Sequence, residues 1–408
     1  HRSLDGGNQP ATHALRLNTT AAEMDESSYW NDTEPTSTQF TVGSNLNHDG
    51  GSFIFYLFAH NNNDGGFGPD SEDIIKCDTY TGNGSSTGPV ITLGFEPQFI
   101  MLKRTDSSTN GNWYVFDNMR GIVTGGDDPY LYWNTDAAEV AGNALELTPT
   151  GFQLKTTSSG FNDNGGTYVY MAIRRGGMAT PTLASDVFFV DETGSSESAG
   201  TQKTTGFPVD MQIVKLNNGS HTYIMDRLRG ASSTTTSSGP YILGSSTTDE
   251  AGSTYTRKWD NNGYQISSAL QNHTDSIYWN WARAKGYFDM VAYSGTGSGA
   301  QNVTHNLGVV PEMMWIKVRN DTDNWVVYHS AVGNTKRLML NSSDGPSSAN
   351  SIFFNNTTPT SSVFTAGSLI NASKNYIAYL FATVAGVSKV GTYTGDGSAG
   401  KVIDCGFT

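Results

Sequence analysis

Apolar and polar residues alternate with a period of two along most of the chain. In Tyr168–Arg174, Val169, Met171 and Ile173 fall on one side, with Tyr168, Tyr170 and Arg174 on the other. In Trp113–Phe116, Trp113 and Val115 alternate with Tyr114 and Phe116. This period marks half-buried β-strands. Phe99–Leu102 is apolar on both faces and reads as a central strand covered on both sides. Clusters of Gly, Asn and Asp at Asn61–Gly66, Asn162–Gly166 and Asn261–Gly263 punctuate the strands. Only Thr20–Met24 looks briefly helical, and it is too short to stand alone. Short strands with turns every ~8–12 residues predict a β-sandwich or jelly roll.

The pattern recurs. Thr79–Asp117 and Ala292–His329 both carry a Tyr-x-Gly-x-Gly turn, then Leu-Gly-x-x-Pro, an apolar run ending on Lys, and Asn-Trp before an alternating strand. A worn copy lies at residues 205–226, and a further one begins at residues 392–408. Pro97, Pro208 and Pro311 are spaced by 111 and 103 residues, too long for a solenoid repeat and suited to small tandem domains. Each unit closes on an aromatic-rich run, at residues 52–60, 167–175, 276–284 and 375–383. The expected organisation is therefore all-β, a tandem array of ~100-residue antiparallel β-sandwich, jelly-roll-like domains. Residues 1–72 are the C-terminal part of a unit, 73–185 a repeat, 186–286 a divergent repeat, 287–386 a repeat, and 387–408 the start of another. The incomplete end units lead us to expect a window on a longer repetitive protein. Strand donation between chains is the rival reading. It fits less well, because the joined ends would still lack the equivalent of residues 310–328. Short linkers, clearest at residues 176–184, predict a fairly rigid rod.

Composition narrows the partners. A net charge of −14 argues against nucleic acid, which needs clustered Lys and Arg. No apolar run approaches the ~18 residues of a membrane span, so no membrane insertion is expected. Low charge with abundant Asn, Ser, Thr and Gly suits an extracellular β-rich protein. Cys77 and Cys405 lie in different units and are expected to be free, mostly buried thiols.

Gly82 and Gly84, Leu93–Lys103, Asn112–Asp117, Leu338–Asn341, Pro359–Gly367 and Tyr376–Ala382 together resemble the tandem-repeat tail fibre and appendage structural proteins of marine tailed bacteriophages. The resemblance covers nearly the whole chain. It is weakest in residues 186–286, where Glu192-Thr193-Gly194 replaces the glycine turn and Tyr223 the Trp. It implies a non-enzymatic virion component, extracellular at the virion surface, acting as spacer and host-surface adhesin. Its partners would be other virion proteins or copies of itself, trimeric by analogy, and host-surface glycans. It implies no catalytic residues and no cofactor. The alternative is a prokaryotic cell-surface adhesin or extracellular filament subunit.

Candidate sites are few. Lys103, Lys215 and Lys317 end an apolar strand in each unit. The expected role is a stem packed on the sheet with the ammonium reaching water or a carboxylate. Trp113 and Trp325 recur at one position and read as core. Aromatics in polar loops, Tyr29, Trp30, Tyr130, Tyr132 and Trp133, are the sugar-contact candidates. Asp64, Asp70 and Asp73 on a Gly-rich loop are the candidate Ca²⁺ ligands, though their spacing matches no EF-hand. Eight scattered histidines and the absence of nucleophile or phosphate-loop motifs argue against an enzyme.

Overall fold

The Tyr-x-Gly-x-Gly turn shows why this sequence folds as it does. A Cβ on Gly82 would lie 2.2 Å from the Asp163 carbonyl oxygen, and one on Gly295 1.9 Å from that of Ala372. Gly84 and Gly297, two residues on, have φ of +66° and +76°. The first glycine of each pair permits close approach and the second a left-handed backbone. Each turn is held by a buried asparagine. Asn162 accepts from the Asn83 amide (2.8 Å) and donates to the Ser85 carbonyl (2.7 Å). Asn371 accepts from the Thr296 amide (2.8 Å) and donates to the Thr296 hydroxyl (2.8 Å).

The computed structural model describes residues 1–59, 73–122, 126, 128–175, 179–192, 200–216, 221–230, 239–253, 258–266 and 276–407. They form two compact units, residues 1–177 and 178–408.

In the first unit a six-stranded antiparallel sheet runs in the order Ile75–Thr81, Thr167–Arg174, Pro97–Arg104, Tyr114–Asp117, Asp128–Tyr132, Val140–Gly142. The closing strand lies between the first and second. A three-stranded sheet is ordered Val90–Thr92, Gly151–Leu154, Leu145–Thr148. Tyr168, Tyr170 and Ala172 are buried on one face of the closing strand, and Val169 on the other. Tyr80 stacks on Tyr168 (4.9 Å between centroids), and Phe152 of the small sheet meets Tyr170 edge-on at 5.7 Å. Such pairs add about 0.5–1.5 kcal/mol each beyond area burial.

The second unit repeats this order twice. One sheet runs Phe188–Glu192, Ile277–Trp281, Met211–Lys215, Thr222–Asp226, Gly239–Leu243, Ala251–Ser253. The other runs Phe288–Ser294, Asn375–Phe381, Met313–Val318, Val326–His329, Leu338–Met339. Gln202–Thr204, Gly263–Gln265 and Lys258–Asp260 make a three-stranded sheet, and Gln301–Thr304 pairs with Val363–Ala366. Tyr293, Met314, Ile316, Phe364 and Leu380 belong to one buried cluster.

The expected tandem array of jelly-roll-like β-sandwich domains is overturned. The chain is all-β, but the described residues form five sheets of three or more strands, small blades of the β-propeller kind. The reason lies in neighbour order. Alternation tells which face of a strand is buried, not which strand lies beside it. Most of each large sheet is an up-and-down meander, whereas a jelly roll needs Greek-key crossings.

Two local expectations also change. Thr20–Met24 is not helical, and the α-helical turn nearest it is Ser27–Trp30, capped by the Glu26 side chain accepting from the Ser28 amide. Residues 52–59 form no strand, and Ile54 and Tyr56 are 85% and 80% exposed. Elsewhere the closing strand is gripped by the first and second strands of its own repeat. Among the described residues, 52–59 has neither.

His305 supplies a pH prediction. It is buried after the strand Gln301–Thr304, with Nε2 3.2 Å from the Thr360 carbonyl, while the Leu307 amide donates to Nδ1 (3.3 Å). Both contacts suit a neutral ring protonated on Nε2. Burial pulls its pKa down to about 4. Between about 4 and 6.5 the unfolded chain binds the proton that the fold refuses. The neutral ring's stability is therefore present above about 6.5 and lost as pH falls, by roughly 3 kcal/mol in total. Urea midpoints of wild type and His305→Gln measured from pH 7 to 4 should diverge by most of this amount. Parallel curves would show that His305 is hydrated.

Candidate functional site

The lysine and tryptophan of the repeats at residues 73–185 and 287–386 converge on one place in each, where a segment from the preceding repeat crosses them. In the first unit the Trp113 indole N–H donates to the Arg16 carbonyl (3.0 Å), and the Glu23 amide to the Thr105 carbonyl (2.8 Å). Lys103 is fully buried, donates to the Gly111 carbonyl, and lies 5.7 Å above the Trp113 ring. A Cβ on Gly111 would meet the Thr20 carbonyl oxygen at 2.4 Å, so the crossing segment lies directly on this turn.

The second unit has the same joint. The Trp325 indole N–H donates to the Leu243 carbonyl (2.9 Å), and the Glu250 amide to the Arg319 carbonyl (2.7 Å). Lys317 Nζ donates to the carbonyls of Asp323 (2.8 Å) and Thr247 (3.1 Å). In both units the crossing segment meets the joint at the same spacing, through Arg16, Thr20 and Glu23 in one and Leu243, Thr247 and Glu250 in the other. Lys103 and Lys317 thus do not reach water, as their place in the sequence had suggested. Their ammonium groups tie down backbone.

The Asn-Trp and Leu-x-Leu-Asn motifs explain how the indole is aimed. Asn134 accepts from the Trp113 amide (2.9 Å) and donates to Asn112 (2.9 Å). Asn341 accepts from the Trp325 amide (3.0 Å) and donates to Asn324 (2.9 Å). Two side-chain amides at the strand ends therefore fix each tryptophan backbone.

In the second unit the joint encloses an ionic cluster. Arg229, fully buried, donates Nε to Asp226 Oδ2 (2.5 Å) and Nη2 to the Ile224 carbonyl (2.9 Å). Tyr379, from the last strand of the next sheet, donates its hydroxyl to the same Asp226 oxygen (2.5 Å). Glu250 accepts from Arg319 Nε and Nη2 (2.9 Å each) and from Arg229 Nη1 (3.4 Å). Burial alone would pull the Arg229 pKa down, but Asp226, Tyr379 and Glu250 outweigh it and keep the guanidinium charged. Burial pushes the Tyr379 phenol well up.

Desolvation brings both joint lysines down to about 8 from the usual ~10.5. Between about 8 and 10.5 the unfolded chain holds protons that the fold has released, so this contribution to stability rises with pH. Above about 10 the buried Tyr80, Tyr293 and Tyr379, whose pKa values burial raises, reverse the trend. Maximal alkaline stability is expected between about pH 8 and 10. Lysine ¹³Cε titration should show Lys103 and Lys317 moving near 8, and midpoints at the ordinary lysine value would refute their desolvation.

The other sequence candidates are placed as follows. Tyr29 and Trp30 are half-buried on the short helix, and Tyr29 Oη accepts from Arg16 Nε (2.9 Å). Tyr130 is buried among Tyr114, Phe116 and Phe161, with ring centroids 5.3–5.6 Å away. Tyr132 is half-buried, while Trp133, just past the same strand, is 57% exposed. Asp73 is buried, and Asp64 and Asp70 lie outside the described residues. Among the described residues no group of three or more His, Cys, Asp and Glu is gathered as for a metal, and no helix is long and apolar enough to cross a membrane. Cys77 and Cys405 are thiols; burial pushes Cys77 up to about 11, but Cys405 is exposed, against the expectation that both are buried.

An all-β protein of small repeated blades is the class that these features define, and such a fold is compatible with a non-enzymatic role. The chain belongs to the DUF7483 family, a domain of unknown function, which matches residues 1–175 and 185–408. No curated protein matches it.

Proposed function

We propose that the chain is a non-enzymatic structural part of a phage virion appendage, a spacer in a tail or capsid fibre that also meets the host surface. The observation that carries this reading is the recurrence of the joint. The charged and aromatic residues most characteristic of the repeat hold one segment of the chain against the next, as a spacer under load requires. Repetition supplies reach, and repeated weak surface contacts add up through avidity. Glycans are the expected host ligands, with exposed Trp133 the first side chain to test. Immunogold labelling with antibodies to the full chain should decorate appendages on purified particles. Label confined to the surface of uninfected cells would sink the virion reading and favour a cellular adhesin or filament subunit.

A further inference from the structure

The two large sheets of the second unit share one backbone frame where their lysine-bearing strands begin. In one, the Asp210 amide donates to the Trp281 carbonyl (2.8 Å), the Arg227 amide to the Asp210 carbonyl (2.8 Å), and the Arg283 amide to the Asp210 carboxylate (2.6 Å). In the other, the Glu312 amide donates to the Phe381 carbonyl (2.9 Å), the Ser330 amide to the Glu312 carbonyl (2.8 Å), and the Thr383 amide to the Glu312 carboxylate (2.7 Å). Strand pairing agrees, since Met211 opposes Asp226 as Met313 opposes His329. Glu312 therefore stands where Asp210 stands, Ser330 where Arg227 stands, and Thr383 where Arg283 stands.

The frame is shared, but the charges are not. Asp210 is buried between two guanidinium groups, with Nε of Arg227 and of Arg283 each 3.7 Å from its Oδ1. Arg227 also donates Nε and Nη2 to the Val209 carbonyl (3.2 and 2.7 Å) and lies over the Trp259 ring at 5.8 Å. At Glu312 both arginines are replaced. Where Arg227 would lie there is a cavity of about 510 Å³, lined by Pro311, Glu312, Tyr328, Ser330, Asn334 and Thr358. Pro311 and Ser330 are the counterparts of Val209 and Arg227, so the cavity occupies the seat that the Arg227 side chain fills in the other sheet. Oε2 of Glu312 is held by the Thr383 amide and hydroxyl, while Oε1 accepts no hydrogen bond among the described residues. Ser330 and Thr358 are exposed, so the seat is reached from solvent.

We propose that this cavity binds a guanidinium group, and that its ligand is an arginine side chain of a partner protein. The incoming group takes the place of Arg227, with Glu312 as its counter-charge and the Pro311 carbonyl in the position of the Val209 acceptor. Arginine fits better than lysine because the filled seat uses a planar fork, two nitrogens on one carbonyl beside a carboxylate, which a point-charge ammonium does not reproduce. The inference rests on the comparison of the two sheets and holds whichever surface carries the protein.

The probe is arginine blocked at both backbone ends, acetyl-arginine amide, titrated into the full chain. The readout is the amide NMR shifts of Glu312, Ser330 and Thr383. Saturable shifts are expected with a Kd of ~1–10 mM, the weak affinity of one side chain alone. Acetyl-lysine amide should bind at least ~5-fold more weakly. Glu312→Gln keeps an acceptor for Thr383 and should weaken the arginine probe by at least ~10-fold. Ser330→Arg restores the residue of the other sheet, so it should refill the seat and abolish the shifts. It also keeps the proposal testable if Glu312→Gln does not fold. Shifts that are absent or unsaturated at ~50 mM, undiminished in Glu312→Gln, or still present in Ser330→Arg would overturn the proposal. Free arginine binding at least ~10-fold more tightly than the blocked probe would point to a small-molecule ligand and overturn the protein partner.

Discussion

Arg229→Ala is expected to destabilise the second unit by about 3–5 kcal/mol, since it strands a buried carboxylate. Asp226 has no exposed surface and accepts from Arg229 Nε, the Arg229 amide and the Tyr379 hydroxyl. Without the guanidinium, one charge remains in low dielectric with only a phenol and an amide to hold it. Glu250 and the Ile224 carbonyl lose a donor as well. The contrast is the exposed pair Lys401–Asp396 at 3.4 Å, where a similar deletion should cost at most ~1 kcal/mol. Replacing Arg229 and Asp226 together by Met and Leu should recover much of the loss, because the desolvation penalty then disappears along with the attraction. Urea denaturation of the full chain, followed through the transition of the second unit, measures both. A loss under ~1 kcal/mol for Arg229→Ala would mean that water reaches the cluster.

The second large effect is at Trp325. It is fully buried, stacks near Tyr379 (6.2 Å between centroids) and donates to Leu243 across the joint. Trp325→Ala should cost about 3–5 kcal/mol from lost contacts and the cavity left behind. Trp325→Phe keeps most of the volume and orphans one carbonyl, for which about 1–3 kcal/mol is expected. The informative readout is cooperativity. If the indole joins the crossing segment to the next sheet, Trp325→Ala should also speed amide exchange in Leu243–Glu250. Destabilisation with that segment unaffected would confine Trp325 to its own sheet.

Much of this fold was legible in the order of residues, and the missing part has a physical cause. Tyr168 and Tyr170 sit in a strand, as period-two alternation predicts, whereas Tyr293, which the glycine motif placed in a turn, lies in the strand Phe288–Ser294. The lysine, tryptophan and paired asparagines could be recognised as a recurring set from their spacing alone. Their use could not, because the lysine and indole donate to carbonyls, and every residue offers a carbonyl. Arg16, Leu243 and Thr247 carry no side-chain mark of their role. For the same reason Lys103 looked like a surface residue with a packed stem. The jelly-roll expectation failed at a similar point, since strand neighbours are chosen by long-range pairing that alternation does not encode. Residues 52–59 show the converse. Phe53, Ile54, Phe55 and Tyr56 have strong strand character, but strand character needs a first and second strand to pair with.

Because the lysine and indole of the clamp touch backbone on the crossing segment, they place little demand on the bases that encode it, the closing Glu250 with its Arg319 pair excepted. At matched positions Leu243–Glu250 and Arg16–Glu23 share only a threonine and the closing glutamate. A copy that keeps the lysine and tryptophan can therefore follow many others. Unequal recombination between copies would lengthen or shorten the gene by a whole ~100-residue step without creating a mismatched junction. Length would then be the trait most freely tuned by selection, and length differences among related genes should cluster at multiples of that step.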